Sequence, residues 1–98
     1  MPEKAVANFH LYRKGDVAEL KWQPAGSNAP TVNIYYKLVA SSGWEHSVIG
    51  TPNNGYFTIT GLGTRDWTFA VAQSNDCIEG AMTYPIVDGN TDGWVLFR

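Results

Sequence analysis

The feature that most constrains this chain is the rhythm of its apolar segments, which are short, alternate with period two, and are bounded by clusters of Gly, Pro, Asn and Ser. An extended backbone sends successive side chains to opposite faces, so this alternation makes ribbons that are apolar on one side. An amphipathic helix would instead need a 3.6-residue period held over a longer stretch, and no stripe of that kind competes. Ala7, Phe9 and Leu11 alternate with Asn8, His10 and Tyr12; past the turn Lys14-Gly15-Asp16, Ala18, Leu20 and Trp22 alternate with Glu19 and Lys21, which reads as a hairpin. Residues 23–30 form a loop, after which Val32, Ile34, Tyr36 and Leu38 face away from Asn33, Tyr35 and Lys37. Ser41-Ser42-Gly43 leads into a short strand over 44–49, and Thr51-Pro52-Asn53-Asn54-Gly55 ends it with dense turn chemistry. The next strand sets Phe57 and Ile59 opposite Tyr56, Thr58 and Thr60; beyond Gly61-Leu62-Gly63, Trp67, Phe69 and Val71 alternate with Thr68, Ala70 and Ala72.

Strands at this spacing, with a turn signal after each, predict an all-β fold: a two-sheet antiparallel β-sandwich of about seven strands. The end of the chain leaves two candidates for the last strand. Residues 82–87 contain Pro85, which an edge strand tolerates because a missing N–H matters little where no partner strand waits. Residues 94–97 are the alternative, at the expense of a long preceding loop. The first reading puts the core over 5–88 and makes 89–98 an extension or linker, all within one domain, since 98 residues are enough for one core and too few for two.

Composition supports a folded core and excludes some partners. Apolar residues make up 44% of the chain, including four Trp, five Tyr and four Phe, and only 16% are charged. A net charge of −2 without any Lys/Arg run argues against nucleic-acid binding. The absence of an apolar run of roughly 18 residues argues against membrane insertion, and residues 1–4 have no signal-peptide character. Cys77 is the single cysteine, so no internal disulfide forms; it is an inert loop thiol or pairs between molecules. A monomer is expected for the isolated domain.

Three groups of residues resemble the fibronectin type III family over roughly residues 5–88: Trp22 ending the second strand, Val32-x-Ile34-x-Tyr36 in the third, and Thr58-Ile59-Thr60-Gly61-Leu62 before Trp67-x-Phe69-x-Val71. The family usually has Tyr where Trp67 stands, a tyrosine whose hydroxyl ties the corner before the sixth strand; here only the indole N–H could do so. The resemblance implies an immunoglobulin-like sandwich serving as a spacer, accessory or ligand-binding unit in extracellular, cell-surface or phage proteins.

No nucleophile elbow, zinc-protease helix motif or phosphate-cradling loop occurs, so the chain is not expected to be an enzyme. His10 and His46 fall on outward strand positions as solvated side chains. Asp88-x-Asn90-x-Asp92-Gly93 repeats the opening half of a calcium loop, but Leu96 stands at its ninth position and the twelfth falls beyond Arg98, leaving at most a weak calcium site and otherwise an ordinary turn; no other cofactor is implied. Lys14-Gly15-Asp16 resembles an adhesive tripeptide but occupies a hairpin turn. Loops 23–31, 50–55 and 74–81 should cluster at one pole, with Asn75 and Asp76 as candidate binding residues. Tyr35 and Trp44 project outward beside the small side chains of Ala70 and Ala72, an aromatic shelf suited to a glycan or a protein partner if the rings are exposed and coplanar. Otherwise Trp44 caps a sheet edge or packs on the Trp94 segment.

Overall fold

A computed structural model describes residues 5–25, 29–75, 78–89 and 93–98, and these form strands and turns without a helix. The strands are β1 (Ala7–Lys14), β2 (Val17–Gln23), β3 (Thr31–Leu38), β4 (His46–Pro52), β5 (Tyr56–Ile59), β6 (Trp67–Asn75), β7 (Ile78–Met82), β8 (Ile86–Val87) and β9 (Val95–Phe97). The first sheet runs β5-β2-β1-β9 and the second β4-β3-β6-β7, with β8 also paired to β6. Every pairing is antiparallel. The two-sheet sandwich implied by the alternation is present.

The chain end departs from expectation, because both candidate segments are strands and they join different sheets. The edge strand expected over 82–87 is broken at Pro85, which cannot donate to a ladder. Thr83 spans the break: its N–H donates to the Val71 carbonyl at 2.9 Å and its hydroxyl accepts from the Val71 N–H at 3.0 Å. Residues 95–97, placed by the sequence reading in an extension, instead pair with β1, Phe97 opposite Leu11 and Val95 opposite Arg13. The strand expected over 44–49 begins at His46 and runs on to Pro52.

Between the sheets, Leu11, Leu20, Val32, Ile34, Phe69 and Val71 are fully buried, with Trp22, Ile59, Leu62 and Trp67 beside them. Leu11 stands opposite Leu20, and Ile34 opposite Val71, so each buried pair sits in register. β6 lies between β3 and β7, and every residue from Trp67 to Gln73 is buried. Ala70 and Ala72, expected on an open outer surface, are therefore covered: their partners across β3 are Tyr35 and Asn33, large enough to lean over the small residues.

One backbone irregularity corrects the histidine assignment. Asn8 has a φ of 53°, and the β1–β2 register slips between Ala7 and His10. His10 is half-buried rather than solvated, its Nδ1 lacking a hydrogen-bond partner among the described residues. His46 is exposed as expected, but not on an outward position: it stands opposite Tyr36 on the core-facing side of the sheet, stacked on that ring with centroids 5.0 Å apart and edge-on to Trp67.

The two ends of the sandwich are closed by different chemistry. At the end where β2 and β6 finish, the Trp22 indole N–H donates to Asn53 Oδ1 at 2.8 Å. The Asn53 amide donates to the Ala29 carbonyl and to Gln73 Oε1, each at 2.8 Å, and Gln73 bonds the N–H and carbonyl of Ala25 at 3.0 and 2.7 Å. Segments from the 23–31 and 50–55 loops are thus gathered together, as expected, whereas 74–75 and 78–81 of the third expected loop belong to β6 and β7. At the opposite end, Arg13 lies fully buried on the inward face of β1 with its Nη1 2.5 Å from Asp88 Oδ2. Its Nε and Nη2 reach the carbonyls of Gly15 and Gly63 at 2.7 and 3.1 Å.

Candidate interaction surface

Several residues singled out in the sequence prove to hold the framework. Asp88 is buried; besides Arg13 it accepts the Trp67 N–H at 2.8 Å on Oδ1, while its own N–H donates to the Trp67 carbonyl at 3.0 Å. Both carboxylate oxygens are engaged inside the protein, so Asp88 serves as a buried counterion. Burial pushes its carboxyl above the ordinary Asp range, against the opposing pull of the Trp67 N–H and the Arg13 guanidinium. Asn90 and Asp92 lie outside the described residues, as do Asp76 and Cys77. Asn75 is half-buried at the end of β6, opposite Ile78.

Lys14-Gly15-Asp16 also belongs to the frame. Gly15 adopts φ 50°, the left-handed conformation that tight hairpin turns require. The Asp16 carboxylate accepts the N–H groups of Gly63 and Gly61 at 2.7 and 2.9 Å, and these bonds hold its pKa below the usual carboxylate value.

Tyr35 and Trp44 do come together, but not as a flat shelf. Both are half-buried, with centroids 6.4 Å apart and planes tilted by 51°. Lys37 occupies one side of Trp44, its Nζ 5.7 Å from the ring centroid while donating to the Ser41 carbonyl at 2.7 Å. The Tyr35 hydroxyl instead donates to Glu79 Oε2, the oxygen that also accepts the Asn33 amide at 2.6 Å. Asn33 Oδ1 in turn accepts the Gly50 N–H at 3.0 Å.

This contact explains the pattern of small residues on β6. β3 and β7 are not neighbours; β6 separates them by two strand spacings, about 10 Å. Period two brings Asn33 and Tyr35 to the outer face of β3, opposite Ala72 and Ala70. Because those residues are alanines, Glu79 on β7 can meet both side chains across the middle strand. Burial and then the Glu79 carboxylate raise the Tyr35 phenol to about 12. Beside the cluster is a recess of about 330 Å³, with Ile49 and Gly50 on one side, Ser74, Ile78 and Glu79 on the other, and Asn33 between them. Ile49 is 64% exposed and Ile78 44% exposed. The sequence reading missed Glu79, Ile49 and Ile78; the signal available was the Ala70/Ala72 pair, which marks where side chains from flanking strands can touch.

The corner before β6 bears on the family comparison. The Trp67 indole N–H donates to the Leu62 carbonyl at 3.0 Å, making with nitrogen the tie that a tyrosine hydroxyl makes in the expected pattern. No family model matches the chain, and no curated protein matches it. Among solved structures, the chain superposes on the third fibronectin III domain of human KIAA0343 protein with a TM-score of 0.77, at 20% identity, covering 95% of this chain and 86% of that one. The fold is that of a fibronectin type III domain. A structure described as a myokine shares it at a TM-score of 0.74 and 12% identity, over 92% of this chain and 98% of the other. A β-sandwich protein redesigned by computer does so at 0.72 and 14%, over 93% and 95%. At such identities the likeness is one of fold. The fibronectin type III fold here carries a tryptophan at its corner and an added strand, β9, beyond the segment of the expected last strand.

Proposed function

We propose that this fibronectin type III fold serves as a non-catalytic interaction or spacer module of a larger extracellular, cell-surface or phage structural protein. Its partner face is the outer surface of the second sheet, and its partner is a protein that presents a basic side chain. The observation that supports this is the position of Glu79: an exposed carboxylate, held by Asn33 and Tyr35, at a recess flanked by the exposed Ile49 and Ile78. An Arg or Lys side chain fits such a place twice over, laying its aliphatic stem along the isoleucines and its charge against the carboxylate. The 51° tilt between Tyr35 and Trp44 favours this reading over stacking of a flat sugar ring on both.

Selection from a randomised peptide library on the immobilised domain tests the proposal. Enriched peptides should carry Arg or Lys and should bind Glu79→Gln and Ile49→Asp at least about tenfold more weakly, the scale of losing one charge-assisted contact. Peptides indifferent to both substitutions would move the partner site to another surface. The positioning itself can be read from phenol absorbance. One tyrosine should titrate near 12 and move downward in Glu79→Gln. Because the folded value lies above the ordinary phenol value of about 10, the Tyr35 contact contributes stability below that pH and loses it as pH rises through about 12.

A further inference from the structure

β9 is an edge strand guarded against pairing by its shortness alone. It is bonded to β1 on one side, and among the described residues no strand lies on the other. Its sequence, Val95-Leu96-Phe97, has no charge and no proline, and its pairing with β1 shows no bulge. The second sheet's edges are guarded by comparison: β4 carries Gly50, Pro52 and a register shift, and β7 carries Glu79 and a register shift. β5, at the far side of the first sheet, also lacks charge and proline, so β9 needs something more than an open edge to stand apart.

That something is self-complementarity. Two antiparallel copies of one strand, related by a two-fold axis normal to the sheet, must pair residues of the same face. Centred on Leu96, the register sets Val95 against Phe97 twice over and uses all of β9; centred on either neighbour, it leaves part of the strand unpaired. One step outward it sets Trp94 against Arg98. Trp94 is 50% exposed and Arg98 is exposed, so each copy offers an indole to the other's guanidinium, a cation–π pair made twice with no like charges directly opposed. Centred on Thr58, β5 sets Phe57 against Ile59 and, one step outward, the exposed Tyr56 against Thr60, with no cation for the ring. We infer that β9 is a docking edge for a second copy of this chain, the two strands pairing antiparallel about Leu96 to join two four-stranded sheets into one. This surface is separate from the Glu79 recess and does not depend on it. The contact is small beside a stable protein interface, so the association is weak and concentration-dependent.

The test uses the whole chain with Cys77→Ser to remove the native thiol. Leu96→Cys in that background places two thiols on the axis, at cross-strand distance. Oxidation should yield disulfide-linked dimer at least about tenfold faster than for Thr58→Cys on the β5 edge, the difference between a populated and a random encounter. Sedimentation equilibrium of the unaltered chain should show the average mass climbing toward twice the monomer value as concentration rises to about 1 mM, and Leu96→Lys, which sets like charges face to face, should abolish the climb without lowering the melting temperature. Equal cross-linking at the two edges, a monomer throughout the range, or self-association untouched by Leu96→Lys would each overturn the inference.

Discussion

The two ends of this sandwich face the same difficulty and meet it differently. Where strands run out, backbone groups and loop segments must find partners or be left unsatisfied. At the Trp22 end the solution is neutral: Asn53 and Gln73 link an indole, the Ala25 and Ala29 backbone and each other. At the Trp67 end it is ionic: Arg13 and Asp88, both fully buried in their side chains, bind the Trp67, Gly15 and Gly63 backbone. The difference teaches where the molecule is vulnerable. A neutral amide that loses its partner loses a hydrogen bond, and at the part-buried Trp22 end water can replace some of it. A buried charge that loses its counterion has no such relief, because desolvation opposes it in full.

The comparison breaks most visibly at Arg13. Arg13→Ala leaves the Asp88 carboxylate buried and unpaired and should lower the unfolding free energy by about 3–5 kcal/mol in urea titration, a large part of a domain's usual stability. Asn53→Ala at the other end removes the acceptor of the Trp22 indole and two donated bonds, and should cost about 1–3 kcal/mol. If the amide variant proves the costlier, the ranking of the two ends is wrong. A finer distinction comes from acid. The Asp16 carboxylate, beside Arg13, is held below the ordinary Asp value of about 3.9 by the Gly63 and Gly61 N–H groups. Its contribution is present above that pH and is lost as pH falls through the lowered folded value. Asp16→Asn should therefore flatten the acid limb of the stability curve, whereas Asn53→Ala should shift the curve down without changing its slope.

The division between what the sequence discloses and what it conceals follows from these contacts. Period-two alternation made the two layers legible, and Trp22, Ile34, Phe69 and Val71 stand inward where it put them. Alternation also places Arg13 inward, in step with Leu11, but its charge argues the opposite, and nothing local indicates an acid 75 residues away. The counterion role of Asp88 is concealed for the same reason: beside Asn90 and Asp92 it looks like an oxygen ligand, and only the long-range pairing with Arg13 shows the ion pair. The Tyr35–Glu79 contact needed knowledge of which strand lies between which. Ala70 and Ala72 could be recognised as small but not as a gap bridged from both sides until β6 was known to sit between β3 and β7. β9 is legible in the sequence only as an alternative to 82–87, since three residues of alternation cannot be told from a tail and nothing local shows that the two segments join different sheets.

The interior is clasped at opposite ends by two anchored indoles, those of Trp22 and Trp67. Hydrogen exchange of the indole N–H groups, resolved by two-dimensional NMR on a chain with four tryptophans, tests it most directly. The Trp22 and Trp67 protons, bonded to Asn53 and to the Leu62 carbonyl, should exchange only through opening of the fold, orders of magnitude more slowly than that of the half-exposed Trp94. A Trp22 or Trp67 indole exchanging as fast as Trp94 would mean that its end of the sandwich is not clasped.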